Sequence, residues 1–376
     1  MAKKAYIGVD GKARLVRKGY IGIDGKARRI KKAYIGVGGV ARPCWPSGEV
    51  QYYGTLDSTP LTVARGGLAA TTVGNYAVFG GGATGDSTSS KVVDAYSSTL
   101  TRSTPTRLTT AAVYLAATTV GNYALFGGGI TSGAAGTSRT ATVNAYNSSL
   151  TKEATVTSLS GSARGRLAAT TIGNYALFGG GYVSGSSNSN VVDAYNTSLT
   201  RSQPAETLQR GRAQMRATSN GVYAVFGSGT NETSTDAYNA SLTRVIGPNV
   251  PSKQQDCGAT SVGVYALFGG GGGNTSPTTA VNAFNRSLTL TSAPALTVAR
   301  NGLAATTVGD YAIFGCVRSS GSSFSAVVDA YDSSLTRTNP TQMGSTFQNA
   351  ATSIGSYALF AGGYASPKNT VYVYMA

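Results

Sequence analysis

The eight residues NYALFGGG at 174–181 belong to a series of close copies that runs through most of this 376-residue chain. The copies are NYAVFGGG (75–82), NYALFGGG (122–129), NYALFGGG (174–181), VYAVFGSG (222–229), VYALFGGG (264–271), DYAIFGC (310–316) and SYALFAGG (356–363). Their central phenylalanines recur every 42 to 52 residues, at positions 79, 126, 178, 226, 268, 314 and 360. A period of this length indicates that one supersecondary unit is repeated along the chain.

Each repeat contains four strand signals. LAATTVG is strand A, NYALFGG is strand B, VVDAYN is strand C, and the stretch after SLTR is strand D. Strand B is apolar on both faces, because Tyr175 and Leu177 point to one side and Ala176 and Phe178 to the other. Such a strand lies between neighbouring sheets. Seven units of this kind predict an all-β, seven-bladed β-propeller.

The two ends of the repeat region complement each other. The chain ends at VYVYMA (371–376), which matches strand C and leaves the seventh unit without a strand D. Upstream, DSTPLTVARGGLAA (57–70) resembles TSAPALTVARNGLAA (291–305), in which a strand D precedes the next strand A. We therefore expect residues of about 50–62 to supply the outer strand of the last blade. Such closure leaves no open sheet edge.

The repeat resembles that of Kelch-type β-propellers over about 50–376. The resemblance rests on the apolar run that ends in a glycine pair (YALFGGG) and on the strand that ends in Tyr and a polar turn (DAYNTS). The Trp common in Kelch strand D is missing, since Trp45 is the only Trp, and the Leu of SLTR takes its place. The resemblance implies the fold but not a functional subgroup.

A shorter repeat and most of the positive charge lie before the propeller. Three 14-residue units, YIGVDGKARLVRKG, YIGIDGKARRIKKA and YIGVGGVARPCWPS, each contain an Asp-Gly or Gly-Gly pair, which is a hairpin-turn signal. Residues 1–42 hold twelve Lys and Arg and two Asp, so they carry +10 of the net +16. We predict a basic β-hairpin arm at 1–46 and a propeller domain at 47–376.

The arm units resemble basic hairpin repeats in structural proteins of bacteriophages and prophages. The resemblance implies that the arm docks onto other virion proteins through Tyr6, Lys12, Arg14, Tyr20, Lys26, Arg28 and Tyr34. Two alternatives stay open: the charges bind nucleic-acid phosphates, or they belong to a solvated ribbon and suppress edge aggregation. The regular hairpin spacing favours an ordered connector over a nucleic-acid tail.

The sequence lacks the residues that most catalytic sites need. It contains no His, which excludes Ser-His-Asp triads, Cys-His pairs and His-ligated metals. The GGG runs lack the Lys-Ser/Thr and the helix of a phosphate loop. The strand C aspartates are interpreted as hydrogen-bonding residues and not as a glycosidase pair, because Asn replaces Asp in two repeats: Asp94, Asn144, Asp193, Asp236, Asn282 and Asp329. We predict no catalytic residue, no metal and no cofactor.

Binding is expected on the face with the variable loops. Because strand direction alternates, the B–C and D–A loops share one face of the disc, and loops on a rigid scaffold frequently bind partners. The D–A loops contribute arginines that either bind an anionic group at the channel mouth or bond the carbonyls of neighbouring blades: Arg65, Arg164, Arg166, Arg212 and Arg300. The aromatic candidates for stacking on sugar rings are Tyr182, Phe324 and Tyr364.

Three cysteines (Cys44, Cys257 and Cys316) show no metal or redox spacing, and no signal peptide or apolar run of ~20 residues is recognisable. We expect assembly in a host cytoplasm, release by lysis and no membrane insertion. The main hypothesis is a non-enzymatic virion protein, oligomeric in the particle, whose arm docks to the particle and whose propeller binds a host surface glycan or a partner. The alternatives are an intracellular Kelch-like interaction scaffold and a glycan-cleaving enzyme.

Overall fold

A computed structural model shows an all-β chain arranged as a seven-bladed β-propeller. It describes residues 49–376 except 184–186, 273–275, 316, 321–322, 345–348 and 364–366, with the backbone alone at 317–320 and 323. Within residues 1–48 it describes the backbone of three hairpins: β1 (Tyr6–Val9) with β2 (Lys12–Leu15), β3 (Tyr20–Ile23) with β4 (Lys26–Arg29), and β5 (Tyr34–Val37) with β6 (Val40–Pro43). None of the described residues forms a helix, and therefore none forms an apolar helix of bilayer-spanning length.

The blades are antiparallel sheets whose strands A to D run from the channel to the rim. Blade 1 contains β8 (Ala69–Val73), β9 (Tyr76–Gly80), β12 (Val93–Ser97) and β13 (Arg102–Ser103), with a ribbon of β10 (Ala83–Gly85) and β11 (Thr88–Ser89) in its B–C loop. Blade 2 contains β14 (Ala116–Val120), β15 (Tyr123–Gly127) and β16 (Val143–Asn147), and its rim is the single bridge Tyr146↔Lys152. Blade 3 contains β17 (Ala168–Ile172), β18 (Tyr175–Gly179), β19 (Val192–Asn196) and β20 (Arg201–Ser202).

The second half of the ring repeats this arrangement. Blade 4 contains β21 (Ala217–Ser219), β22 (Ala224–Phe226), β23 (Thr235–Tyr238) and β24 (Arg244–Gly247). Blade 5 contains β25 (Gly258–Val262), β26 (Tyr265–Gly269), β27 (Val281–Phe284) and β28 (Leu290–Ala293). Blade 6 contains β29 (Ala304–Val308), β30 (Tyr311–Gly315), β33 (Asp329–Asp332) and β34 (Arg337–Thr338), with a loop ribbon of β31 (Val317–Ser320) and β32 (Ser323–Ser325). Blade 7 contains β35 (Ala350–Ile354), β36 (Tyr357–Ala361), β37 (Val371–Met375) and β7 (Gln51–Thr55).

The last sheet joins the two ends of the propeller region. β7 pairs antiparallel with β37, with Tyr372 opposite Thr55 and Met375 opposite Gln51. This strand is shorter than the 50–62 expected from the sequence, because the chain after Thr55 turns towards the D–A connection, where Leu61 donates to the Asn369 carbonyl. Backbone hydrogen bonds between β7 and β37 therefore close the ring.

Strand B packs each blade against its neighbours. The phenyl ring of Phe178 is fully buried between blades 2 and 3, and it meets the ring of Tyr195 edge to face with centroids 5.8 Å apart. The same aromatic pair occurs in every blade, with Phe284 in place of Tyr in blade 5. Burial of one such ring contributes about 1.5–3 kcal/mol. The aromatic pairs therefore hold the interior of the disc together.

The inner strands consist mainly of small residues because seven of them pack closely around the channel. In AATTV the two threonines face opposite neighbours: Thr71 bonds the Thr119 hydroxyl of blade 2, and Thr72 bonds the Thr352 hydroxyl of blade 7, each at 2.8 Å. Alanine and threonine are small enough to let the seven inner strands approach, and further threonine hydroxyls pair across blade interfaces in the same way, as Thr118 does with Thr171 and Thr260 with Thr307. The repeated Thr pair is therefore a structural feature of the ring.

The C–D turn explains the repeated N-x-S/T and SLTR sequences. The Asn196 side-chain oxygen accepts from the backbone N–H of Ser198 and Thr200, which confirms that this Asn has turn chemistry. Leu199 follows in the left-handed region, at φ 60°, and packs against the core between blades 2 and 3. The Leu that was expected to replace the strand D Trp thus belongs to the turn that precedes strand D.

Candidate functional site

Two faces of the disc follow from the strand register. Ala69 at the start of strand A lies opposite Gly80 at the end of strand B, so the D–A and B–C connections leave the sheet at the same end. We call this end the loop face and the opposite end, with the A–B and C–D turns, the turn face. The bridge between Gly165 and Tyr182 joins a D–A connection directly to a B–C loop. The variable loops and the entry to the inner strands therefore form one continuous surface.

Four of the five D–A arginines lie inside the blades and not at the channel mouth. Arg65, Arg164, Arg212 and Arg300 have no exposed side-chain surface, and each pairs with a strand C aspartate that is equally buried. The distance between Arg212 Nη2 and Asp236 Oδ2 is 2.8 Å. Burial lowers the pKa of the Arg212 guanidinium, and the neighbouring Asp236 carboxylate counteracts this shift. We therefore assign these four residues to the scaffold and not to a ligand site.

The Arg–Asp pair varies as a unit between blades. Blade 5 has Gln254 at the arginine position and Asn282 at the aspartate position, and the Asn282 amide donates to Gln254 Oε1 at 2.6 Å. Blade 2 has Ala112 and Asn144 at these positions. Aspartate is thus present in the described blades only where an arginine neutralises it. This pairing explains why Asp and Asn interchange along the sequence.

The strand C aspartate and tyrosine also anchor the D–A connection. Asp236 accepts from the backbone N–H of Gln209, and the hydroxyl of Tyr238 donates to the Glu206 carbonyl. The SLTR arginine of the same blade, Arg244, donates to the Thr207 carbonyl at 2.7 Å. These contacts confirm the interpretation of the strand C aspartates as hydrogen-bonding residues.

A ring of left-handed residues surrounds the channel on the loop face. One residue just before strand A has φ between +54° and +67° in each of six blades, and its N–H donates to the carbonyl of the equivalent residue in the previous blade at 2.7–2.9 Å wherever both are described. We call this set the mouth ring: Gly67, Tyr114, Arg166, Gln214, Asp256 and Gly302. Non-glycine residues lose roughly 1–2 kcal/mol in this conformation. Four blades nevertheless carry a large side chain where two carry glycine.

The side chains of the mouth ring contact each other. The Arg166 guanidinium stacks on the Tyr114 ring, with its central carbon 4.0 Å from the ring centroid. The Gln214 amide donates to Asp256 Oδ2 at 2.6 Å, and Arg216 Nη2 lies 3.9 Å from Asp256 Oδ1. Both cations are partly exposed, and Asp256 is more protected, with 16% of its side chain exposed. The mouth therefore presents cationic, aromatic, amide and carboxylate groups on a hydrogen-bonded frame.

A cavity of about 230 Å³ lies at the channel mouth, inside the mouth ring. Its wall is built mainly from the alanines of the inner strands. Besides Arg166 and Asp256 of the mouth ring, two polar residues line the cavity: Arg216 stands where other blades have Ala or Gly, and Asn349 stands where other blades have Leu, Met or Cys. Asn349 is 8% exposed, and neither its side-chain oxygen nor its nitrogen has a hydrogen-bond partner among the described residues. The cavity therefore has polar side chains in the mouth ring and at two further positions of its wall.

The remaining predicted residues are distributed over the loop face. Tyr182 is half-buried beside the D–A connection of blade 3 and lies under Arg139, at 5.3 Å from the guanidinium carbon to the ring centroid. Phe324 lies in the loop ribbon of blade 6 and is 40% exposed. Tyr364 lies outside the described residues, as do the side chains of the arm residues Tyr6, Lys12, Arg14, Tyr20, Lys26, Arg28 and Tyr34. Their predicted roles stay predictions.

Cys257 occupies the position before strand A that is Leu in four other blades. It is fully buried, and burial raises the pKa of its thiol to about 12. At neutral pH the side chain is therefore a protonated, apolar filling of the core. Within the described part of the chain, His, Cys, Asp and Glu side chains form no group of three or more that would hold a metal.

Of the mouth ring, the sequence analysis identified Arg166 alone. A comparison of the repeats at the two positions before LAATT would have found the others, since the pairs there are Gly67-Leu68, Tyr114-Leu115, Arg166-Leu167, Gln214-Met215, Asp256-Cys257, Gly302-Leu303 and Gln348-Asn349. The first position changes chemistry from blade to blade, whereas the second is apolar in six of the seven. A position that varies between the repeats, next to positions that stay the same, indicates a side chain that the fold does not require.

Comparisons with known proteins do not indicate a function for this chain. No protein-family model and no curated protein matches the chain. A propeller fold by itself does not specify a function. The chemistry of the loop face and the channel mouth therefore carries the functional conclusion.

Proposed function

We propose that this protein is a non-enzymatic structural component of a bacteriophage or phage-tail-like particle. In this proposal the arm at 1–46 docks onto other virion proteins, several copies of the chain occupy one particle, and the propeller binds a glycan of the host surface. The arm proposal rests on the resemblance of its basic hairpin repeats to phage structural proteins. The particle assembles in the host cytoplasm and is released by lysis.

The observation that best supports a binding role is the separation between scaffold and variable surface. The buried Arg–Asp pairs, the aromatic pairs and the C–D turns repeat from blade to blade, whereas side-chain chemistry changes on the loop face and in the mouth ring. Rigid elements that carry variable loops are the usual arrangement of binding proteins. The Kelch-like repeat pattern of the sequence agrees with a propeller that binds through this face.

The cavity composition favours binding over cleavage. Hydrolysis of a glycosidic bond normally uses two carboxyl groups about 5–9.5 Å apart. Among the described residues that line the cavity, Asp256 is the single carboxylate. Its neighbours Gln214 and Arg216 hold the carboxylate by a hydrogen bond and by charge, an arrangement suited to accepting hydroxyl hydrogens from a bound sugar.

The particle proposal is tested by mass spectrometry of washed, purified particles from infected or induced cells. We expect the chain in the particle at a fixed ratio to the other structural proteins. A variant with Lys12, Arg14, Lys26 and Arg28 all changed to Glu is expected to leave the particle fraction, whereas Val264→Ser, on the exposed turn face, is expected to be incorporated normally.

Other results would favour the two alternatives. Recovery of the chain only in the cleared cytosol, together with a host protein, would support an intracellular interaction scaffold. Release of reducing sugar from bacterial walls by the purified chain, abolished by Asp256→Asn, would establish a glycan-cleaving enzyme. Wall binding without sugar release is the result that the proposed function requires.

A further inference from the structure

We infer that the channel mouth binds a sugar ring that carries a carboxylate, with Arg166 and Arg216 facing the carboxylate and Asn349 bonding the hydroxyl groups. This inference rests on the glycan-binding part of the proposed function and adds the class of sugar and the residues that recognise it. It is carried by four observations: the left-handed backbone, the stacked guanidinium, the charge balance and the buried amide.

The backbone conformation points to a role beyond folding. Gly67 and Gly302 adopt the left-handed conformation of the mouth ring without steric cost, and the hydrogen bonds that run from one blade to the next at this position join backbone atoms, which any residue supplies. The fold therefore does not require Tyr114, Arg166, Gln214 or Asp256 at these positions. Strained residues of this kind cluster at ligand sites, where the surrounding structure holds them in place.

The Arg166 guanidinium is positioned to bind an anionic ligand. Its central carbon lies over the Tyr114 ring, 4.0 Å from the ring centroid, and no hydrogen bond or ion pair occupies the guanidinium within the part of the chain that the structure describes. The cation–π contact restrains the position of the fork and leaves its N–H groups available to a ligand. A carboxylate is the planar partner that such a fork binds with two parallel hydrogen bonds.

The charge balance of the mouth suits an anion that also carries hydroxyl groups. Arg166 and Arg216 contribute two positive charges and Asp256 one negative charge, which leaves +1. Arg216 is 37% exposed, and its distance of 3.9 Å from Asp256 leaves room for a second partner. The Asp256 carboxylate would repel a ligand that is only anionic, such as a phosphate chain, but accepts hydrogen bonds from hydroxyl groups. An acidic sugar supplies both kinds of group.

Asn349 supplies an unused donor and acceptor in the cavity wall. Six other blades place an apolar side chain at its position, and a buried amide without partners is costly. A bound sugar offers hydroxyl groups that both donate and accept, so it satisfies both ends of this amide. The volume of about 230 Å³ is below the ~300–1,000 Å³ of sites for drug-sized ligands, and it suits a single ring.

The decisive experiment is isothermal titration of the full chain with two matched pairs of probes. The first pair is trigalacturonic acid and its methyl ester, in which the carboxylates are masked. The second pair is sialyllactose and lactose, which lacks the sugar that carries the carboxylate. We expect at least one acidic probe to bind at least about tenfold more tightly than its neutral partner, because a charge-assisted hydrogen bond to a guanidinium is lost in the neutral probe.

Two variants link binding to the mouth. Arg166→Gly introduces the residue of blades 1 and 6, and Asn349→Leu introduces the residue of blades 1, 2, 3 and 6, so both are compatible with the fold. Each is expected to weaken binding of the acidic probe at least about tenfold while the melting temperature stays the same or rises. Val264→Ser on the turn face is the control and is expected to bind with unchanged affinity.

The inference is overturned if neither acidic probe binds, if the neutral partners bind equally well, or if Arg166→Gly and Asn349→Leu retain full affinity. A drop in melting temperature for both variants with unchanged affinity would assign these residues to the scaffold. Binding of neutral wall fragments that survives Arg166→Gly would overturn the acidic-sugar site and leave the proposed adhesion function standing. Absence of the chain from particles would contradict the proposed function and leave the site intact.

Discussion

At the scale of single residues, the molecule separates positions that the fold needs from positions that it tolerates. The mouth ring shows the second kind, because glycine and four different large residues share one left-handed backbone conformation. The strand C aspartates show the first kind, because each depends on a buried arginine. Substitutions at the two kinds of position are therefore expected to have opposite effects on stability.

Arg166→Gly is expected to leave the free energy of unfolding unchanged or to raise it. The free energy of unfolding of the Gly variant is expected to exceed that of the Arg166→Ala variant by roughly 1 kcal/mol. Both variants lose the stacking on Tyr114, but only Gly relieves the left-handed backbone. Urea denaturation followed by circular dichroism measures the difference. Equal stability of the Gly and Ala variants would show that the conformation carries no cost at this position.

Asp236→Asn is expected to lower the free energy of unfolding by about 3 kcal/mol, because it leaves the Arg212 guanidinium buried without its counter-ion. The double variant Arg212→Gln, Asp236→Asn recreates the neutral pair of blade 5 and is expected to recover most of this loss. A double-mutant cycle in urea measures the coupling. Additive losses in the double variant would contradict a pairwise dependence.

At the scale of elements, the contact between blades depends on the absence of a side chain. Gly179 ends strand B of blade 3, and a Cβ atom there would lie 2.7 Å from the ring of Phe226 in blade 4. Equivalent glycines in other blades, such as Gly127, meet the Phe of the next blade in the same way. The glycine after Phe and the Phe itself are therefore complementary parts of one interface, repeated around the ring.

Gly179→Ala is expected to destabilise the protein by about 1–3 kcal/mol, because the added methyl group forces the buried Phe226 ring to move. Gly85→Ala is the matched control, since a Cβ atom at Gly85 meets nothing within 4 Å and the change is expected to cost less than about 0.5 kcal/mol. Thermal unfolding of both variants tests the comparison. Similar melting temperatures would indicate that the blades adjust their spacing freely.

At the scale of the whole molecule, the stability of the ring depends on the pairing of its two ends and on the buried strand C tyrosines. Backbone pairing of β37 with β7 joins the ends of the ring, and each strand C tyrosine donates its hydroxyl to a D–A carbonyl in the interior. Burial raises the pKa of five of these hydroxyl groups above the usual value of 10: Tyr96, Tyr146, Tyr195, Tyr238 and Tyr331. We therefore expect the stability of the ring as a whole to depend on alkaline pH.

The free energy of unfolding is expected to be independent of tyrosine ionisation below about pH 10 and to fall steeply above it. The sign follows from the raised pKa values, because the unfolded chain loses these protons near pH 10 while the folded chain retains them. Each tyrosine contributes a slope of about 1.4 kcal/mol per pH unit in this range. Urea midpoints between pH 9 and 11 measure the slope.

Tyr195→Phe provides the control for the alkaline prediction, because blade 5 already has Phe284 at this position. The variant is expected to reduce the slope by up to about 1.4 kcal/mol per pH unit, the contribution of one tyrosine. A slope that does not change on this substitution would contradict the role assigned to the buried hydroxyl groups.

The sequence by itself determined the number of blades, the order of their strands and the segment that closes the ring. These features follow from local patterns, namely alternating apolar residues, turn residues and the regular spacing of YALFGGG, and each pattern appears seven times. The role of the strand C aspartates could also be inferred from Asp–Asn exchange between repeats. Such inferences are strong because the same pattern occurs independently in each repeat.

Only the tertiary structure decided which side chains of the D–A connection reach the channel. Arg164 and Arg166 are two residues apart and would share one side of an extended strand, yet Arg164 is buried in an ion pair and Arg166 lies at the mouth. The left-handed conformation of Arg166 breaks the alternation, and it is imposed by a backbone hydrogen bond to Tyr114 in the previous blade. That contact exists only when the blades meet, so the sequence of a single repeat does not reveal it.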